Sequence, residues 1–158
     1  MGEGAFSTVL LDVGDMAIAA PSDGSQTAPK GGLHTALWVA QILLACAFGM
    51  AGVGKSTAPI AQLAPDIPWV LDIPEALVRF IGIAEFAGGL GMVLPAVTGI
   101  RPVLTPLAAL GLALIMLLAA GFHLLRGEVP VIAFNVLLGA LALFVAWGRL
   151  RRAPIPPR

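Results

Sequence analysis

Six polar side chains lie inside or at the ends of long apolar stretches: Gln41, Lys55, Arg79, Glu85, His123 and Asn135. Ionisable groups at membrane depth are costly and face a bundle interior or a cavity, so these six are site candidates from the outset. Glu85 carries the most chemistry. It sits mid-stretch and cannot snorkel to water, so its carboxyl must be protonated, paired or hydrogen-bonded, with Lys55 and His123 as candidate partners. A carboxyl so placed can hold and pass a proton. Arg79 follows Glu75 by four residues, the favourable acid-first order for a helical ion pair. Gln41 and Asn135 have an equally ordinary use as hydrogen bonds between helices.

A second pattern offers different chemistry. Gly49-Met-Ala-Gly-Val-Gly54-Lys55-Ser56 matches the phosphate-loop signature GxxxxGK[ST] at every position. That loop works only between a strand and a helix, where its free N–H groups cradle phosphates. Here a long uncharged run precedes it and Thr57-Ala-Pro59 follows, so the segment reads as the end of a helix and a nucleotide partner is not expected.

The elements that must position these residues are four apolar stretches, Leu33–Gly54, Pro74–Leu94, Val103–Leu125 and Pro130–Trp147. They hold 84 of the 158 residues but only three charges, Glu75, Arg79 and Glu85. Each is long enough, or nearly so, to cross a hydrocarbon core of ~30 Å as a helix. Strands are excluded because no stretch alternates in a period of two and an open sheet edge cannot sit in lipid. Pro74, Pro102 with Pro106, and Pro130 fall in or before first turns, where a missing N–H costs nothing. The expected fold is all-α: a four-transmembrane-helix bundle over residues 33–152.

Composition agrees. Apolar residues make up 58% and charged residues 11%, and nine basic side chains balance nine acidic ones, which gives no steering toward nucleic acid. The single cysteine, Cys46, excludes an intrachain disulfide. No metal site is expected, because His34 and His123 fall at opposite ends and no cysteine or Glu/His cluster has ligand spacing. Residues 1–32 read as an acidic tail and 153–158 as a short C-terminal one.

Four crossings put both termini on one side. That side collects Lys30, Arg101, Arg149, Arg151, Arg152 and Arg158 against Lys55, Arg79 and Arg126 opposite, so both termini are expected in the cytoplasm. Counting about 1.5 Å per residue, Lys55, Arg79, Glu85, His123 and Asn135 then fall in the outer half, Glu85 about 15 Å deep, and Gln41 alone in the inner half. Helical spacing places the polar groups on small-residue faces: Gln41, Ala45, Phe48, Gly52 and Lys55 on the first helix, Gly82, Glu85 and Gly89 on the second, and Asn135, Gly139, Ala142 and Ala146 on the fourth. The outer connection 56–73 mixes prolines with Ile67, Trp69, Val70 and Leu71. It is too apolar for a free loop and is expected either to cover the outer mouth of the bundle or to serve as a membrane-interface anchor, with Trp69 at headgroup level.

Phe48-Gly-Met-Ala-Gly-Val-Gly-Lys55, Glu85-Phe-Ala-Gly88-Gly89, the third-helix ending at His123, and Gly127-Glu128-Val-Pro130 followed by Asn135 resemble, in that order, the DoxX-like family of small four-helix membrane proteins. The resemblance implies the same bundle and, for some relatives, service as a small membrane subunit of a redox system. The leading expectation is therefore an accessory subunit in the cell membrane, without catalytic activity of its own. Its polar pocket would receive a quinone headgroup, the one cofactor this reading allows, or a partner's proton path. The alternatives are a small proton-coupled transporter using Glu85 and a purely structural anchor. Expected partners are the lipid bilayer and a larger redox complex or a second copy of the chain.

Overall fold

A computed structural model describes residues 30–158. Most of the expected acidic tail lies outside them. Four long helices dominate: α1 (Lys30–Thr57), α3 (Glu75–Thr98), α4 (Leu104–Leu125) and α5 (Val129–Trp147). Between α1 and α3 lie one turn of helix, α2 (Ile60–Leu63), and a 3₁₀ turn (Pro68–Leu71), and a π-helical turn (Gly148–Arg152) closes α5. No strand occurs among the described residues. All four long helices are long and apolar enough to cross a membrane.

Helix boundaries follow local chemistry. α1 begins at Lys30, inside the expected tail, and runs to Thr57 rather than stopping at Gly54. Nothing in Gly54-Lys-Ser-Thr forbids helix, and the first residue that does is Pro59. The prolines of the connection cut the helix into single turns instead of abolishing it, with Pro59 as the N-cap of α2 and Pro68 opening the 3₁₀ turn. α3 continues past Leu94 through Pro95 to Thr98. It ends at Gly99, whose φ of 71° is the left-handed conformation that only glycine adopts cheaply. There the Gly99 N–H donates to the Pro95 carbonyl at 3.0 Å.

Packing is inverted relative to a soluble bundle. Leu117, Leu118, Phe80, Leu114 and Val136 stand exposed on the outside, while Ala40, Ala109, Ala113, Ala142 and Ala146 share the core with Leu44, Phe48, Met92, Leu112, Met116 and Val145. Large apolar side chains can face lipid without loss, whereas small ones let helices approach. α1 packs most extensively on α3, and α4 on α5.

The α1–α3 contact positions the site. A Cβ on Gly52 would lie 2.6 Å from the Phe86 nitrogen and 2.7 Å from the Gly82 carbonyl oxygen. One on Gly82 would lie 2.7 Å from the Ser56 nitrogen. The two backbones touch here because neither residue carries a side chain. One helical turn along each chain, that contact sets Lys55 beside Glu85.

Candidate functional site

Lys55 and Glu85 form a buried ion pair. The ammonium donates to Oε1 at 2.7 Å and to Oε2 at 2.6 Å, and the side chains are only 13% and 3% exposed. In so little water the charges must compensate each other, since a lone buried ion costs several kcal/mol. Two of the three ammonium N–H groups are used on the carboxylate. Trp69 lies against Lys55, its ring centroid 5.8 Å from Nζ.

Arg79 secures the end of α1. Its Nη1 donates to the carbonyls of Lys55 at 2.9 Å and Ala58 at 2.6 Å, which the helix leaves unsatisfied, and its Nη2 donates to Glu75 Oε1 at 2.8 Å. It makes no bond to Glu85. Its part is to hold the backbone that carries Lys55.

His123 is brought to the same end of the bundle but pairs elsewhere. Its Nδ1 lies 2.5 Å from Glu128 Oε2, and Trp69 packs edge-on against both His123 and Phe122. Arg126 donates through Nε to Glu128 Oε1 at 2.8 Å and through Nη1 to Asp72. The chain Asp72–Arg126–Glu128–His123 thus ties the α1–α3 connection to the α4–α5 turn. These three loop charges did not stand out as site residues in the sequence. Arg126 reads as an ordinary basic residue of a short turn, Glu128 enters only through the family resemblance, and nothing in spacing pairs Arg126 with Asp72, 54 residues away.

The hydrogen bond from His123, then that from Arg126, holds the Glu128 carboxyl below its ordinary value of 4.5. Glu128 in turn, with Asp72, raises the Arg126 guanidinium. A carboxyl lowered in the fold contributes stability above its unfolded value and loses it as pH falls through the lowered one. Glu128→Gln should therefore reduce the melting temperature at pH 7, and the gap to the parent should close below about pH 4. A gap that persists unchanged at acid pH would show that the carboxylate charge contributes nothing.

Gln41 and Asn135 lie apart from this cluster. Gln41, fully buried, donates to the Met92 carbonyl at 2.6 Å and accepts from Arg149 Nε at 2.6 Å, near the end of the bundle that carries the C-terminus. Asn135 is buried on α5 with its Nδ2 unpartnered among the described residues. Arg149, only 3% exposed, is the buried residue sequence reasoning missed. It was counted with the flanking basic residues, although it continues the Asn135, Gly139, Ala142, Ala146 stripe by three more positions.

The phosphate-loop segment is helical throughout. Gly49–Ser56 lies inside α1, where backbone N–H groups bond the preceding turn, and Ser56 Oγ donates to the Gly52 carbonyl at 2.7 Å. That conformation does not offer the nest of free N–H groups a nucleotide requires. Two surface grooves face outward between helices, one lined by Ala84, Gly88, Gly91, Leu107 and Gly111 and one by Ile42, Cys46, Gly49, Phe86 and Leu90. Both are apolar, and neither includes a residue of the Lys55–Glu85 cluster.

Four membrane-crossing helices around a buried Lys–Glu pair define a small polytopic membrane protein. The chain belongs to the DoxX-like family, whose model matches residues 39–145. That span contains every residue of the Lys55–Glu85 and His123–Glu128 clusters. No curated protein and no solved structure matches the chain.

Proposed function

We propose that the chain is an accessory membrane subunit of a quinone-linked redox system in the cell membrane, without catalytic activity of its own. The observation that carries this is the Lys55–Glu85 pair, buried beside Trp69 at one end of the bundle. The residues present suit a quinone headgroup. Lys55 keeps one ammonium N–H beyond the two that bond Glu85, which a carbonyl oxygen would accept. A bound quinone would supply the coupled electron and proton chemistry. The Glu85 carboxylate would accept the exchangeable proton, Lys55 would orient the carbonyl, and the Asp72–Arg126–Glu128–His123 chain limits water at this end.

The test is a tagged chain purified in mild detergent from its native host. A redox enzyme should accompany it. Glu85→Gln should keep that partner but reduce quinone-dependent electron transfer by at least about tenfold, where a positioned general acid or base contributes about 10²–10⁴-fold. Full activity with Glu85→Gln, the partner still attached, would make the chain an anchor. The buried pair also suits a proton-coupled carrier, for which the expected result is instead pH-dependent solute flux in liposomes, with no enzyme co-purifying.

The proposal places both termini in the cytoplasm, supported by six Lys and Arg on the side of the termini against three opposite. A reporter fused after Arg158 should be active only in the cytoplasm. Activity outside would put the Lys55–Glu85 end on the cytoplasmic face.

A further inference from the structure

The C-terminal end of the bundle contains a buried cation with no anionic side chain beside it among the described residues. Arg149 Nε donates to Gln41 Oε1 at 2.6 Å, and Nη1 reaches the Ala153 carbonyl only at 3.3 Å. Both N–H groups of Nη2 are buried and unpartnered among the described residues. A guanidinium is charged at any accessible pH and presents five donors in a fixed fork. No Asp or Glu side chain of residues 30–158 pairs with it. All five of those carboxylates, Asp66, Asp72, Glu75, Glu85 and Glu128, lie on the α1–α3 connection, on the first half of α3 or in the α4–α5 turn.

A neighbouring histidine shows independently that an acceptor is lacking. Trp38 Nε1 can only donate, and it donates to His34 Nε2 at 3.0 Å. The proton of the neutral imidazole must then sit on Nδ1. That Nδ1 faces Arg149 Nη1 at 3.4 Å, so with this tautomer two donors point at one another. Trp38 lies against the guanidinium, 5.3 Å from ring centroid to Cζ, and His34 is exposed, which leaves the cluster open to the membrane surface at this end. Arg149 stands 20 residues from the start of α5, about 30 Å along it, the depth at which the far headgroup layer begins.

We infer that Arg149, with His34, forms a binding site for a phosphate-class oxyanion at the C-terminal end of the bundle. A tetrahedral oxyanion supplies acceptor oxygens for Nη2, which has none among the described residues, for His34 Nδ1 and for the weakly bonded Nη1, and its charge offsets the buried guanidinium. Two sources share this chemistry, the phosphate of a lipid headgroup and free inorganic phosphate. Arg151 and Arg152, exposed beside the site, draw either toward it.

The experiment uses the full chain in uncharged maltoside detergent, which contains no phosphate, and follows its melting temperature. Phosphatidic acid at saturation should raise it by about 5–10 °C, and diacylglycerol with the same acyl chains should not. A rise with inorganic phosphate alone would name the free ion as the source. Arg149→Gln should abolish the rise. Arg149→Lys, which keeps the charge but loses the fork, guards against misfolding and should keep less than half of it. Arg151→Gln/Arg152→Gln should keep most of it.

Three results would overturn the inference. One is equal shifts from phosphatidic acid and diacylglycerol. Another is a loss in Arg151→Gln/Arg152→Gln as large as in Arg149→Gln, which would reduce the effect to surface charge. The third is a rise that appears only after Glu3, Asp12, Asp15 and Asp23 are replaced by their amides, which would assign Arg149 to the chain's own carboxylates.

Discussion

Lys55→Met should destabilise the bundle by about 3–5 kcal/mol, the cost of leaving one member of a buried ion pair without the other. Glu85, 3% exposed, would remain against Gly82 and the end of α1 with no cation to offset its charge. The double variant Lys55→Met/Glu85→Met should recover most of that loss, because apolar side chains of similar volume carry no desolvation cost. Thermal unfolding of the four proteins of this cycle in one detergent gives the coupling directly. If the two single substitutions simply add, the pair contributes nothing beyond packing. The same outcome would weaken the functional proposal, which needs the two groups to share one proton environment.

The second large effect is expected at Gly52. Gly52→Ala should cost about 1–3 kcal/mol or more, because the new methyl would sit 2.6–2.9 Å from the backbone of Phe86 and Gly82, atoms that cannot swing aside. The helices must separate, and the Lys55–Glu85 pair one turn away separates with them. In the Gly52→Ala background, Lys55→Met should therefore cost less than it does alone. Gly54 supplies the control within the same helix turn. A Cβ there meets nothing within 4 Å, so Gly54→Ala should be neutral or stabilising by up to about 1 kcal/mol through helix propensity alone. Equal losses at both positions would show that the close approach of α1 and α3 does not limit stability.

The phosphate-loop look-alike illustrates how context decides a motif. Gly49, Gly54, Lys55 and Ser56 are the same residues in either reading. Within α1 the motif instead packs Gly52 against α3, pairs Lys55 with Glu85 and bonds Ser56 back along the helix, while a Cβ on Gly49 or Gly54 would meet nothing within 4 Å. The inward faces expected on α1, α3 and α5 are buried or, at Ala45, Lys55 and Gly139, half-buried, because a helix of 3.6 residues per turn lines up residues three and four apart whatever its neighbours are.

What the sequence determined by itself is whatever depends on one helix at a time. The number of membrane-crossing helices, their all-α character and the inward stripes follow from apolar length and period. Partner choice is different, since it depends on how helices are rotated and shifted against each other. Glu85 had two candidate cations, and the Gly52–Gly82 contact selected Lys55 by bringing α1 and α3 together there, while His123 turned to Glu128 five residues on. Arg149 entered the core for the same reason: the π turn after α5 carries it inward to Gln41 on α1, 108 residues away. Charge on a flank is visible in a sequence. Whether a guanidinium folds inward or reaches for the headgroups is decided only when another helix offers it an acceptor.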